Sequence, residues 1–141
     1  MYKGGTATLL AETVAKNGDR CVLRLFDTFE GMPATDSQKD LHSQGDFGDT
    51  SLKSVKDIVG REEIVSIHKG LIPQTFTDFE DSIIAFAHID VDIFKSVWDC
   101  CEFIYPRMLA GGFMIFDDYG FPSCPGARQA IDEYFMDKPE K

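Results

Sequence analysis

Four aspartates in two pairs carry the strongest chemical signal in the chain: Asp90 with Asp92, and Asp117 with Asp118. Each pair ends a short apolar run, Ile83 to Ile89 and Gly112 to Phe116, that reads as a buried strand. Parallel α/β sheets bind ligands at the carboxyl ends of their strands. Carboxylates delivered there by neighbouring strands repel one another, and a divalent cation that prefers hard oxygen donors, magnesium or calcium, neutralises them. The plainer reading, aspartates acting as turn residues and helix caps, suits any one of them better than it suits the set.

A second constellation lies near the amino terminus. Lys3, Gly4, Gly5 and Thr6 place a glycine pair directly before a helical pattern, which lets the backbone approach a polar ligand and aims free amides at it. Asp27 follows Gly5 by 22 residues at the end of the next strand. That spacing suits an acid that holds ribose hydroxyls in nucleotide-type folds. The alternative is a glycine turn and an unrelated strand-ending aspartate.

Other residues fall near these sets. His88 precedes Asp90 by two positions, on the same face of a regular strand, and Asp92 follows it by two; either can assist proton removal or orient a ligand. A histidine so placed is more often a satisfied core residue. Phe29, Phe47, Tyr119 and Phe121 follow strand ends and either line an acceptor pocket or cover the sheet edge. Trp98 and Phe103 stand at helical positions expected in the core. Cys21, Cys100, Cys101 and Cys124 show no paired spacing of the zinc type and read as reduced thiols that behave as small hydrophobes.

The elements that must position these groups alternate between helix and strand. A helix is expected from Thr6 to about Asn17, with Leu9, Leu10 and Val14 as its apolar stripe and Gly18 as its stop, then a strand over Arg20 to Phe26. Polar residues from Ala34 to Thr50 mark a long loop of the kind kept for lids or binding. A helix over Leu52 to Val59 capped by Ser51, a strand over Glu63 to His68 and a connector over Phe76 to Asp81 lead to the strand that ends at Asp90. A helix from Phe94 to Tyr105 closed by Pro106, the strand Gly112 to Phe116, a helix from Pro125 or Gly126 to Phe135 and a frayed tail over Asp137 to Lys141 complete the chain. This alternation predicts a parallel α/β sheet.

With 141 residues and 43% hydrophobic content, one domain covering residues 1–141 is expected. The formal charge of -10 works against a nonspecific grip on nucleic acid. No apolar stretch reaches the roughly 20 residues that span a bilayer, and no basic region with an apolar signal core opens the chain. A soluble cytoplasmic protein without nucleic-acid or membrane partners is the expectation.

The segments YKGGTA (Tyr2 to Ala7), FDTFEGMP (Phe26 to Pro33), GDFGDTSL (Gly45 to Leu52), HIDVDIFKSVWD (His88 to Asp99) and GGFMIFDDYG (Gly111 to Gly120) together resemble the macrocin O-methyltransferase group of class I S-adenosylmethionine-dependent methyltransferases. The resemblance implies a Rossmann-like, mostly parallel sheet. It also implies S-adenosylmethionine and Mg2+ as cofactors, and a small hydroxylated acceptor such as a natural-product sugar. Gly4 and Gly5 then look like the tail of the cofactor loop and Asp27 like the ribose-gripping acid, with Thr6, Thr28 and Phe29 beside them. Asp90, Asp117 and Asp118 resemble the three carboxylates that hold magnesium, leaving Asp92 and His88 as the catalytic candidates.

Members of that group have a strand before the glycine loop and further strands after the last helix, and this chain shows neither. Unpaired strand edges predict a homodimer or higher oligomer. A noncatalytic remnant that keeps the metal site is the main alternative. A phosphatase using Asp90 and Asp92 as nucleophile and acid rests on the bare DxD pattern alone.

Overall fold

The computed structural model describes residues 1–18 and 21–139. Arg20, the first residue of the expected first strand, and the last two residues of the expected tail lie outside the described residues. The chain falls into two compact units. One comprises Met1–Pro33 and Gly45–Leu71; the other comprises Ala34–Gln44 and the chain from Ile72 onward.

In the first unit, α1 (Gly5–Asn17) closes at Gly18 in the left-handed conformation, and α2 (Leu52–Val59) begins at Ser51, whose Oγ accepts from the Ser54 N–H at 3.1 Å. β1 (Leu23–Asp27) and β2 (Val65–Lys69) pair in parallel, from Leu23 opposite Val65 to Asp27 opposite Lys69. The buried face of α1 is Ala7 and Ala11, one turn apart, and the expected stripe residue Leu9 is exposed. Small side chains serve better here because the helix packs closely. Ala7 and Ala11 share a core with Leu25, Phe29, Val55, Val59 and Val65. Gly4 has φ 86, and a Cβ there would lie 3.3 Å from Val55 Cγ1 and 3.4 Å from Val59 Cγ2. Its missing side chain therefore lets the start of α1 approach α2.

The second unit is built from β3 (Ile84–Ile89), α3 (Phe94–Ile104), β4 (Met108–Phe116) and α4 (Pro125–Tyr134), with 3-10 turns at Gln74–Phe79 and Tyr105–Arg107. β3 and β4 are parallel, and their register breaks between Ile84 and Phe86 before running evenly from Phe86 opposite Phe113 to Ile89 opposite Phe116. The core joins Val97 and Cys101 of α3 to Ala127, Ala130 and Ile131 of α4, with Met114 and Phe116 packed against them. Trp98 packs against the same core, and Phe103 stacks on Phe76 with centroids 4.4 Å apart.

Neither strand of this pair is buried on both faces, contrary to the reading of its apolar runs. Met114 and Phe116 face the helices, and the alternate residues Phe113 and Ile115, with Phe86, are exposed. A helix layer covers one face of the pair, so continuous apolar sequence leaves half of its side chains in solvent.

The polar stretch over residues 34–50 is folded. Asp40, only 6% exposed, accepts from the Phe94 N–H through Oδ1 at 2.8 Å and from the Asp36 N–H through Oδ2 at 3.1 Å. It thus caps α3 from 54 residues away. Beyond it, Gly45 N–H donates to the Met32 carbonyl at 3.0 Å and Met32 N–H to the Asp46 carbonyl at 2.8 Å. At the other end of the chain, Lys138 is held rather than frayed: its Nζ lies 4.2 Å from the Tyr134 ring centroid. No helix among the described residues is long and apolar enough to cross a membrane.

Candidate cation and cofactor sites

The acidic cluster is assembled by the turn that leaves β3. Asp92 sits at φ 58, and the Ile93 N–H donates to the Val91 carbonyl at 2.6 Å, which closes the rare γ-turn of positive φ. A non-glycine residue held there is strained, and strain of this kind collects at functional sites. What holds it is Asp118, whose Oδ2 accepts from the backbone N–H groups of Asp92 at 2.9 Å and Val91 at 3.2 Å. The end of β4 therefore fixes the end of β3.

The result is that Asp90, Asp92 and Asp118 each bring a carboxylate oxygen within 4.8 Å of the others. Burial and the neighbouring Asp118 and Asp90 carboxylates push the Asp92 carboxyl up to about 6. Burial also raises Asp118, against the two backbone donors that favour its ionised form. Three crowded oxygen donors, two of them reluctant to ionise, fit a hard divalent cation. Asp117 is outside this group. It is half exposed, and its Oδ1 lies 3.5 Å from His88 Nε2. The two residues His88 and Asp117 thus face each other, while Asp92, expected beside the metal set, stands within the gathered carboxylates.

Two further residues adjoin the cluster from positions that carried no signal in the sequence. Cys124 Sγ lies 3.8 Å from Asp92 Oδ1 and 3.6 Å from His42 Nε2, and His42 Nε2 lies 3.9 Å from Asp92 Oδ1. His42 belongs to a loop that was legible only as polar, and Cys124 stands just before α4, six residues past Asp118.

In the first unit, Asp27 ends β1 with both oxygens engaged. Oδ1 accepts from the Phe29 N–H at 2.8 Å, and Oδ2 lies 3.2 Å from the Met1 nitrogen. The start of α1 has no side-chain cap, so Gly5 and Thr6 contribute amides of its open first turn. An acceptor carboxylate and uncapped amides fit a ligand that combines ribose hydroxyls with an anionic end. The remaining members of the expected set are engaged in the fold. Thr28 Oγ1 donates to the Gly31 carbonyl at 2.8 Å, and Phe29, 6% exposed, belongs to the core. Of the other aromatic candidates, Phe47 and Phe121 are exposed, and Tyr119 donates from its hydroxyl to Asp132 Oδ1 at 2.9 Å.

Known proteins similar to this chain show its family and fold. The chain is 27% identical over 146 residues to the 8-demethyl-8-(2,3-dimethoxy-alpha-L-rhamnosyl)-tetracenomycin-C 4'-O-methyltransferase of Streptomyces olivaceus, covering 95% of this chain and 55% of that one. It is 30% identical over 150 residues to the mycinamicin III 3''-O-methyltransferase of Micromonospora griseorubida, covering 95% and 57%. The chain thus spans about half the length of the curated relatives it matches. Among solved structures, the O-methyltransferase NovP superposes with a TM-score of 0.87 at 25% identity, over 100% of this chain and 63% of that one. The calicheamicin methyltransferase CalS11 shares the fold with a TM-score of 0.76 at 18% identity, over 94% and 60%. The fold is accordingly α/β, of the Rossmann-like methyltransferase type. With its family model matching residues 1–139, the chain belongs to the macrocin O-methyltransferase (TylF) family.

Proposed function

We propose that this chain carries the core of an S-adenosylmethionine-dependent, magnesium-assisted O-methyltransferase whose acceptor is a hydroxyl of a small molecule, a natural-product sugar above all. Support comes from the family and from relatives named for such acceptors, one of them a rhamnosyl tetracenomycin. The observation that carries the reading is the gathering of Asp90, Asp92 and Asp118 at the carboxyl ends of β3 and β4. When bound, magnesium polarises the acceptor oxygen and makes its hydroxyl more acidic, and S-adenosylmethionine presents the electrophilic methyl group.

In this reading Asp90 and Asp118 hold the cation, with Asp92 as the third carboxylate of the gathered set. Asp27 and the amides of Gly5 and Thr6 at the start of α1 hold the cofactor, and Gly4, whose own N–H donates to the Met1 carbonyl at 3.0 Å, shapes the turn that presents them. A second assignment draws on the Asp92 carboxyl being pushed up to about 6. A base that accepts a proton near neutral pH is well matched to an activated hydroxyl. Asp117 then takes the third ligand place, as the resemblance implies, and Asp92 receives the proton, with His88 orienting Asp117 from 3.5 Å. A homodimer in the cytoplasm completes the reading, and sedimentation tests its first half.

The deciding experiment incubates the chain with methyl-labelled S-adenosylmethionine and a panel of deoxysugar acceptors, with and without magnesium. Label transfer that needs magnesium and disappears in Asp118→Asn is expected. Absence of transfer together with absence of S-adenosylhomocysteine binding overturns the reading. Cation binding without either points to the noncatalytic form of the same fold.

A further inference from the structure

Beside the carboxylates lies a group that the proposed methyl transfer does not use. Cys124 is 3% exposed, yet its Sγ is surrounded by heteroatoms: Ser123 Oγ at 3.5 Å, His42 Nε2 at 3.6 Å, Asp92 Oδ1 at 3.8 Å and Asp118 Oδ1 at 4.0 Å. A thiol has one proton and is a weak donor, so it satisfies only one of these neighbours at a time. Cys124 also belongs to the apolar core with Val97, Cys101, Ala127, Ala130 and Ile131, so the sulfur stands at the border between that core and the polar groups around the carboxylates.

The three distances among His42 Nε2, Cys124 Sγ and Asp92 Oδ1 are 3.6, 3.8 and 3.9 Å. Tetrahedral zinc with ordinary bond lengths to nitrogen, sulfur and oxygen sets its ligands roughly 3.3–3.6 Å apart. The observed triangle is a few tenths of an ångström wider, as three donors are before an ion draws them inward. One imidazole, one thiolate and one carboxylate also form the borderline-soft donor set that prefers zinc or cobalt to magnesium.

We infer that His42, Cys124 and Asp92 form a second metal site, selective for a zinc-class transition ion and open at its fourth position, alongside the hard carboxylate site with which it shares Asp92. Binding there deprotonates the thiol and releases a proton, since the thiolate is the ligand. The proposed methyl transfer uses neither the thiol nor His42; the two sites share Asp92, and a thiolate with an imidazole holds a zinc-class ion far more tightly than magnesium, so magnesium does not displace it.

Cobalt(II) titration of the intact chain tests it, because a thiolate bound to cobalt gives a near-ultraviolet charge-transfer band that carboxylates cannot give. One equivalent of cobalt is expected to raise that band with four-coordinate visible bands. Zinc is expected to abolish both, and a large excess of magnesium to leave them in place. Cys124→Ser is expected to remove the charge-transfer band, and Cys21→Ser, which alters the exposed cysteine, to retain it. His42→Gln, a change in a loop outside the core, is expected to weaken cobalt binding by roughly 10–100-fold, at least the loss that a ligand's supporting partner causes. Absence of the band in the unaltered chain, its survival in Cys124→Ser, or its removal by magnesium overturns the inference. Unaltered cobalt affinity in His42→Gln does so even if Cys124→Ser fails to fold.

Discussion

The two parallel strand pairs end in different ways. β1 delivers one acid, Asp27, and the chain supplies donors to both of its oxygens: the Phe29 N–H and the Met1 nitrogen. β3 and β4 deliver four acids, three of which, Asp90, Asp92 and Asp118, bring carboxylate oxygens within 4.8 Å of one another, and Asp118 also accepts from the Val91 and Asp92 N–H groups. At the crowded end, burial and the neighbouring carboxylates raise Asp92, and burial raises Asp118, so these two gain most from a positive charge placed between them. The first arrangement suits gripping a neutral hydroxyl, and the second suits a cation.

The largest effect expected from breaking this contrast comes from Gly126→Ala. A Cβ at Gly126 would lie 2.0 Å from Asp40 Oδ1, the oxygen that caps α3 two residues after Asp92. Expelling Asp40 leaves a buried carboxylate without its donors and frees the turn that presents the cluster, a loss of about 3 kcal/mol. Thermal melting is expected to show a large fall in midpoint, and cation affinity is expected to fall with it.

The next effect is a pH dependence confined to the crowded end. The native Asp92 carboxyl sits at about 6 against an ordinary 3.8, so the folded chain binds this proton more tightly than the unfolded one. The sign follows: the stabilisation is fully present below about pH 4 and is lost as pH rises through about 6, a change of ~2 kcal/mol after allowance for solvent screening. Denaturant melts of the unaltered chain minus those of Asp92→Asn are expected to isolate that slope. Saturating magnesium is expected to flatten it, because binding requires the ionised carboxylates.

A smaller effect is expected at the other strand end. In Asp27→Asn the amide oxygen still accepts from the Phe29 N–H, so the fold is retained and only the charged acceptor is lost. Calorimetry is expected to show S-adenosylhomocysteine affinity falling about tenfold, the worth of one charge-assisted hydrogen bond. The smallest expected effect comes from Lys53→Ala. It removes an ion pair with Asp57 on the exposed face of α2, and no measurable change in the melting midpoint is expected.

The sequence revealed those features that depend on neighbours in the chain. Helix α2 with its Ser51 cap, the stop of α1 at Gly18, and carboxylates at the ends of β3 and β4 follow from local spacing and capping chemistry. Asp40 was illegible because its partner is the Phe94 N–H, 54 positions away. His42 meets Cys124 across 82 positions and was hidden for the same reason. The exposed face of β3 and β4 was misread because an apolar run reports composition, whereas burial depends on how many layers cover the sheet. The pairing of Asp117 with His88 depends on the β3–β4 register, and that of Asp92 with Asp90 and Asp118 accompanies a positive φ at Asp92; neither can be read from residue type.

The central claim is that the fold gathers Asp90, Asp92 and Asp118 to hold a divalent cation, and magnesium titration by calorimetry tests it most directly. One magnesium site is expected in the unaltered chain, abolished in Asp118→Asn, severely weakened in Asp92→Asn and retained in Asp117→Asn. Absence of magnesium binding contradicts the claim, as does a site lost in Asp117→Asn but untouched in Asp92→Asn.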